Sequence, residues 1–252
     1  MSDGFFIADL DPAVTARDVV TLSGPEGRHA VTVRRIEVGE TVTVADGRGH
    51  GVRGAVVEVR KEQSQLDVWV EQVLVDPGPE PRFVCVQALP KNDRVEQAID
   101  LLTEVGVSEI VPWQASRSVV RWQGERGERA RDRWQSIARA ATKQSRRLTM
   151  PIVAPLASTA QVADRLRFAD SAYVCHESAT DPIIAQHPSL GEVVFVIGPE
   201  GGVAPDELAA FQAAGAVAIL MGGTVLRTST AGGVALVQLR QLAELIHWMD
   251  DE

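Results

Sequence analysis

The chain has 252 residues, 45% hydrophobic and 23% charged, which is enough apolar mass for one large domain or two ordinary ones and is the composition of a globular protein, not a disordered one. No apolar run approaches the roughly 20 residues that a membrane span needs, and the start, Met1-Ser2-Asp3-Gly4-Phe5-Phe6, has neither the basic stretch nor the long apolar core of a secretory signal. These features exclude a helical membrane protein and predict a cytoplasmic one with a formal net charge of −9.

In chain order, the first 75 residues read as all-β: Ala55–Val59 is β-branched, Leu66–Val73 partly alternates, and turns fall at Gly39-Glu40 and Asp46-Gly47-Arg48-Gly49. Short strands over this length fit a small barrel, a class often used to bind nucleic acid. Asp76-Pro77-Gly78-Pro79-Glu80-Pro81 can continue neither helix nor sheet and is expected to be a linker. The division predicted is therefore 1–75, a linker at 76–81, and 82–252.

Beyond the linker, strand and helix patterns alternate. Phe83–Leu89 is continuously apolar, as a parallel strand covered on both faces should be; Arg94–Val105 carries Val95, Ala98, Ile99, Leu102 and Val105 on one helical side; Glu109–Pro112 is a short strand. Arg129–Arg147 reads as a long helix that Pro151 ends at the latest. Between Arg117 and Arg147 ten basic residues face three acids, a local charge of +7 that leaves −16 on the rest of the chain. A polyanion responds to that local field and not to the total, because charges are screened beyond about 8–10 Å. A helix near Ala160–Leu166, strands at Ser171–Cys175 and Val193–Ile197, a helix at Pro205–Ala214, a strand at Val217–Leu220 and a helix at Thr230–Met249 complete an α/β domain with a largely parallel sheet. Cys85 and Cys175 lie in apolar strand-like settings without a CxxC pair, so both are expected to be structural thiols, and no metal site is predicted.

Ligands of open parallel sheets gather at the carboxyl ends of the strands. Two glycine-rich loops stand there: Gly198-Pro199-Glu200-Gly201-Gly202 after Val193–Ile197, and Met221-Gly222-Gly223-Thr224-Val225-Leu226-Arg227-Thr228 after Val217–Leu220. Neither is a P-loop or a GxGxxG fingerprint. An acid within the first loop, and Asp206 and Glu207 just beyond it, suit a neutral or cationic ligand better than a phosphate.

Gly198–Gly202 followed by Leu226-Arg227-Thr228 and Thr230-Ala231 resembles the SPOUT methyltransferases, and within them the RsmE family, which methylates N3 of a uridine in 16S ribosomal RNA. The likeness spans nearly the whole chain: His29 and Arg35 match an amino-terminal His/Arg element, and Lys91-Asn92-Asp93-Arg94, Glu104-Val105-Gly106-Val107, Arg117-Ser118-Val119-Val120, Arg133-Trp134, Gln144-Ser145 and Arg147 follow in the family's order. It implies a PUA-like β-barrel in front of an α/β domain whose carboxyl-terminal segment threads a trefoil knot, with S-adenosyl-L-methionine (SAM) in the knot and a homodimer as the working unit. The donor would be held mostly by backbone groups of Leu89, of Gly198, Pro199, Glu200, Gly201 and Gly202, of Leu220, Met221, Gly222 and Gly223, and of Leu226, Arg227 and Thr228. The chain departs from the family at Ser229 and Ala140, where acids are usual, at Ser116, at Gly4-Phe5, and at Ala204, which removes a serine cap and is expected to weaken the helix at Pro205 by about 1 kcal/mol.

The role assigned to Arg227 is stabilisation of the charge that spreads onto the uracil carbonyls as N3 loses its proton; Glu200 is the candidate to accept that proton or to face the sulfonium. Arg117, Arg121, Arg139, Lys143, Arg146 and Arg147, with His29, Arg34 and Arg35, are the expected contacts to 16S rRNA within the 30S subunit, most of them to phosphates. Trp113, Trp122 and Trp134 could stack on bases, but packing is the expected fate of each. RNA 2′-O-methylation and a non-catalytic RNA-binding factor are the alternative readings.

Overall fold

The structure, a computed structural model, describes residues 3–78, 80–91 and 94–250. Met1 and Ser2 of the amino terminus, Pro79 of the linker, and Asn92 and Asp93 of the Lys91–Arg94 motif lie outside the described residues. The chain divides into two compact units, Met1–Gly78 with Thr142–Met150, and Pro79–Ala141 with Pro151–Glu252.

The first unit holds β1 (Gly4–Ile7), β2 (Val19–Leu22), β3 (Thr41–Ala45), β4 (His50–Arg60) and β5 (Gln65–Val75) in one sheet of order β1-β3-β4-β5-β2. Only β1 and β3 run parallel. The register of β4 against β5 shifts twice, at Arg53/Gly54 and Val56/Glu58, and such bulges bend and twist a strand. Gly54 sits at the first of them because any Cβ there would come within 1.9 Å of the Trp69 carbonyl oxygen. Phe6, Leu22, Val44, Val52 and Val68 fill the core.

This unit is not all-β. After β2 the chain forms α1 (Gly24–Arg28), which runs into a π-helical stretch, His29–Arg34, ended by Arg35 at φ 54°. Pro25 presets the first turn, and Ala30, Val31 and Ile36 point into the core. Six residues of mixed polarity carry too short a period to announce a helix. The second difference is the segment Thr142–Met150, expected in the carboxyl-terminal domain, which packs with the first unit. Its bonds explain why: Lys143 Nζ donates to both Glu26 carboxylate oxygens at 3.0 and 2.8 Å, Thr149 Oγ1 donates to Asp76 at 3.1 Å, and Met150 N–H donates to the Gly47 carbonyl at 2.9 Å.

The second unit is a seven-stranded, wholly parallel sheet of order β10-β12-β9-β11-β6-β7-β8. Its strands are β6 (Arg82–Ala88), β7 (Glu109–Trp113), β8 (Ile152–Val153), β9 (Ser171–Cys175), β10 (Asp181–Pro182), β11 (Glu192–Ile197) and β12 (Val217–Leu220). The helices are α2 (Val95–Val105), α3 (Gly124–Ser145), α4 (Thr159–Arg167), α5 (Pro205–Ala213) and α6 (Thr228–Asp250). Alternate residues of one strand serve opposite cores: Phe195 and Ile197 of β11 pack with α2 and α6, Val194 and Val196 with α4 and α5. That two-sided burial is why these strands are continuously apolar. Among the described residues no helix is long and apolar enough to cross a membrane.

Helix α5 lacks the serine cap, as Ala204 foretold, yet half of its capping arrangement survives. The buried Glu207 carboxylate accepts the Ala204 N–H at 3.2 Å, and also the Ser116 N–H at 2.8 Å and the Thr159 hydroxyl at 3.0 Å. Cys85 is fully buried, whereas Cys175, expected to be equally structural, is only partly so. The tryptophans Trp113 and Trp134 are core residues, and Trp122 packs edge-on against Trp134 at 5.0 Å.

At the amino-terminal edge of the sheet, Arg165 of α4 donates to Glu192 at 2.9 Å and to Glu109 at 3.0 Å, while Arg82 bonds the same two carboxylates. Four charges thus tie the starts of β6, β7 and β11 to α4. Arg165→Met should lower the midpoint of urea unfolding by the equivalent of about 1–2 kcal/mol, because two half-buried carboxylates lose a partner; an unchanged midpoint would mean that the cluster is only a surface feature.

Candidate active site

Parallel strands deliver their carboxyl ends to one edge, and there β11, β12 and β9 open onto a cavity of about 840 Å³. One wall is the turn Gly198–Gly202. Gly202 takes φ +73°, a left-handed conformation natural to glycine, and its N–H closes the turn on the Pro199 carbonyl at 2.9 Å. Two outside groups hold this turn: Arg117 Nη1 donates to the Gly201 carbonyl at 3.1 Å, and the Lys91 N–H donates to Glu200 Oε1 at 3.1 Å.

The second wall is the turn after β12. Gln238 Nε2 donates to the Met221 carbonyl at 3.3 Å, and the Arg227 carbonyl accepts the Thr230 and Ala231 N–H groups at 2.9 Å each, which starts α6. Among the described residues the walls are joined by one bond, from Thr228 Oγ1 to the Gly198 carbonyl at 3.1 Å. Beneath it lies Gln87 of β6, fully buried, whose Nε2 donates to the Ala88 carbonyl at 3.1 Å.

Of the thirteen residues expected to hold the donor, twelve line this cavity. The exception is Leu89, which is fully buried, donates its N–H to the Trp113 carbonyl at 3.1 Å, and borders a separate void of about 40 Å³ with Trp122 and Trp134. Sequence reasoning missed the third wall, Cys175-His176-Glu177, and the rim residues Lys91 and Arg94. The signal existed, since Cys175 ends a strand whose carboxyl edge should face the ligand, but no glycine marks that turn. His176 Nδ1 accepts the Ser178 N–H at 3.2 Å. Burial pushes the Cys175 thiol up to about 12, keeping it protonated near neutrality.

Arg227 is exposed on the cavity wall, and its guanidinium has no bond to another side chain among the described residues. The basic residues divide between the units. In the second, Arg117 touches the first glycine turn, Arg121 Nη2 donates to the Ser116 carbonyl at 2.9 Å, and Arg139 is half-buried on α3. In the first, Arg34 and Arg35 are exposed, His29 is half-buried and edge-on to Phe6, and Arg146 (φ 57°) and Arg147 follow the end of α3. Lys143 is engaged by Glu26, with 22% of its side chain exposed.

A parallel α/β sheet with a glycine-walled cavity at its carboxyl edge meets, in the comparison with known proteins, the family described as an RNA methyltransferase domain, over residues 78–240; an RNA methyltransferase PUA domain matches residues 22–68. The ribosomal RNA small subunit methyltransferase E of Mycobacterium bovis is 43% identical over 236 residues, 92% of this chain and 88% of that one. Its Bacillus subtilis counterpart is 28% identical over 252 residues, 96% and 97% of the two chains. A crystal structure of a ribosomal RNA small subunit methyltransferase E from Neisseria gonorrhoeae bound to S-adenosyl methionine matches with a TM-score of 0.84 and 25% identity, covering 96% of this chain and 98% of that one. The class is therefore that of RNA methyltransferases. Within it, the chain belongs to the ribosomal RNA small subunit methyltransferase E family, and the resemblance to RsmE is borne out.

The Thr228 clasp makes the joint between the walls testable. Thr228→Val keeps the shape and removes the donor, so amides 198–202 and 221–227 should exchange hydrogen about fivefold faster, the effect of losing about 1 kcal/mol. Unchanged protection by mass spectrometry would show that the walls stand without it.

Proposed function

We propose that this protein transfers the methyl group of SAM to N3 of a uridine in 16S rRNA, acting in the cytoplasm as a homodimer on the 30S subunit. The observation that carries this reading is the single cavity formed by two glycine turns under one Thr228–Gly198 bond. Its chemistry fits the donor: glycines let a ligand lie against the backbone, no lysine-serine phosphate signature follows them, and the wall bears Glu177 and Glu200. The relatives' names and the SAM-bound Neisseria enzyme support the same donor and substrate class. The carboxyl-terminal segment is inferred to thread a trefoil knot, and α6 exposes Val234, Val237, Leu245 and Trp248, apolar surface suited to a second copy of the chain.

SAM supplies an electrophilic methyl on a positive sulfur. The turns around Gly198–Gly202 and Leu220–Thr228 hold it in one orientation, and that positioning lowers the barrier. Arg227 extends from the wall to the uracil carbonyls, where charge gathers once N3 is deprotonated. Glu200, fixed through Oε1 by the Lys91 N–H, keeps its other oxygen for the N3 proton. Arg117, Arg121, Arg139, Arg146 and Arg147, with His29, Arg34 and Arg35, take RNA phosphates and position the target. Lys143, paired with Glu26, is a further contact of this set.

Incubation with methyl-labelled SAM and unmodified 30S particles, followed by nuclease digestion and mass mapping, should yield 3-methyluridine in 16S rRNA. A methyl on a ribose 2′-oxygen would make the protein a 2′-O-methyltransferase, and no transfer despite RNA binding would make it a binding factor.

Arg227→Ala should reduce kcat about 100-fold at saturating SAM and RNA, the usual effect of removing one charge-stabilising donor, while calorimetric SAM affinity stays within about threefold. A normal kcat would remove Arg227 from the chemistry.

A further inference from the structure

Among the described residues, three groups on the cavity wall could present negative charge to a ligand: Glu200, Cys175 and Glu177. Glu200 is held at the rim by the Lys91 N–H, which donates to its Oε1 at 3.1 Å. The Cys175 thiol is kept neutral by its burial. Glu177 differs from both. It is exposed to the cavity and has no hydrogen bond or ion pair among the described residues. Its Oε1 reaches across to the first glycine turn, 3.6 Å from where a Cβ on Gly202 would stand. Arg117, whose Nη1 lies 3.8 Å from the same point, is bonded to the Gly201 carbonyl and makes no ion pair with Glu177.

The cavity also carries the cations Lys91, Arg94 and Arg227, but Glu177 stands over the first glycine turn with no ion pair among the described residues, and a carboxylate so placed is suited to a cation. Of the SAM pair, the donor has a positive sulfur; after transfer, sulfur retains the electron pair of the broken S–CH₃ bond and the product, S-adenosylhomocysteine, is a neutral thioether. We propose that Glu177 is a specificity-determining residue that faces this sulfur and makes the site favour charged donor over spent product. The inference rests on the donor reading above. It concerns affinity rather than chemistry: a carboxylate that stabilises the bound sulfonium aids donor capture and product exchange, because the attraction vanishes with the charge.

Calorimetry on the full-length protein separates the possibilities with three probes: SAM, S-adenosylhomocysteine and sinefungin, which carries an ammonium group in the sulfonium's place. Glu177→Gln should weaken SAM and sinefungin about fivefold, the upper range for an exposed charge pair, and leave S-adenosylhomocysteine within about twofold. Glu177→Asp, which keeps the charge, should restore the preference for the two cations. The fivefold loss should shrink as salt is raised, since exposed pairs are screened. Equal losses for all three ligands would place Glu177 against a part they share and overturn the proposal, as would unchanged affinities. Wild-type protein that binds none of the three would overturn the donor reading itself.

Discussion

One hydroxyl closes the site. Sheet order places β9 between β12 and β11, so the turns that follow β11 and β12 are not neighbours along the edge. They come together only because the chain, after β12, returns toward β11 and begins α6, where Thr228 bonds to Gly198, 30 residues earlier. The same order explains the third wall. With β9 in the middle, its own turn, Cys175-His176-Glu177, has to lie between the other two. Helix α6 then runs back beneath the sheet with Ala231, Ala235, Leu236 and Leu239 in the core beside α2, so packing energy fixes the position of Thr228.

The two edges of this sheet do different work. At the amino-terminal edge Arg82 and Arg165 bind Glu109 and Glu192, four charges satisfied by one another. At the carboxyl edge Glu177 and Arg227 stand without such partners among the described residues. A charge paired within the protein serves the fold; one left facing a cavity remains able to meet a ligand.

How much of this could be read from the sequence depends on burial. Strands β6 and β11 announced themselves because helices cover both faces, and β9 and β12 were placed at Ser171–Cys175 and Val217–Leu220 to the residue. Strands β8 and β10 have two residues each and carry no period at all, while β1, β2 and β3 pass through short stretches with few turn signals. The helix at Gly24–Arg28 and its π-helical continuation were hidden because their apolar residues, Ala30, Val31 and Ile36, match neither a strand nor a helix repeat for long. In the site, glycines made two walls visible and their lack concealed the third. Leu89 directly follows β6 at that same edge; its side chain borders the small void with Trp122 and Trp134, whereas the role expected of it is one for its backbone.

The positions at which this chain departs from its family follow from the same division between backbone and side chain. Where a glutamate is usual, Ser229 is buried and donates its hydroxyl to Gln97 Oε1 at 3.0 Å, so a polar pair occupies the place of a charge. Ala140 sits on an exposed position of α3, where a small side chain costs little. Ser116 offers its N–H to Glu207, and that same carboxylate supports Ala204 where the serine cap is missing. None of these positions lies within Gly198–Gly202 or Met221–Arg227. A pocket whose walls are largely peptide groups depends on side chains mainly to hold those walls in register, and in this chain Thr228, Gln238 and Arg117 serve that purpose.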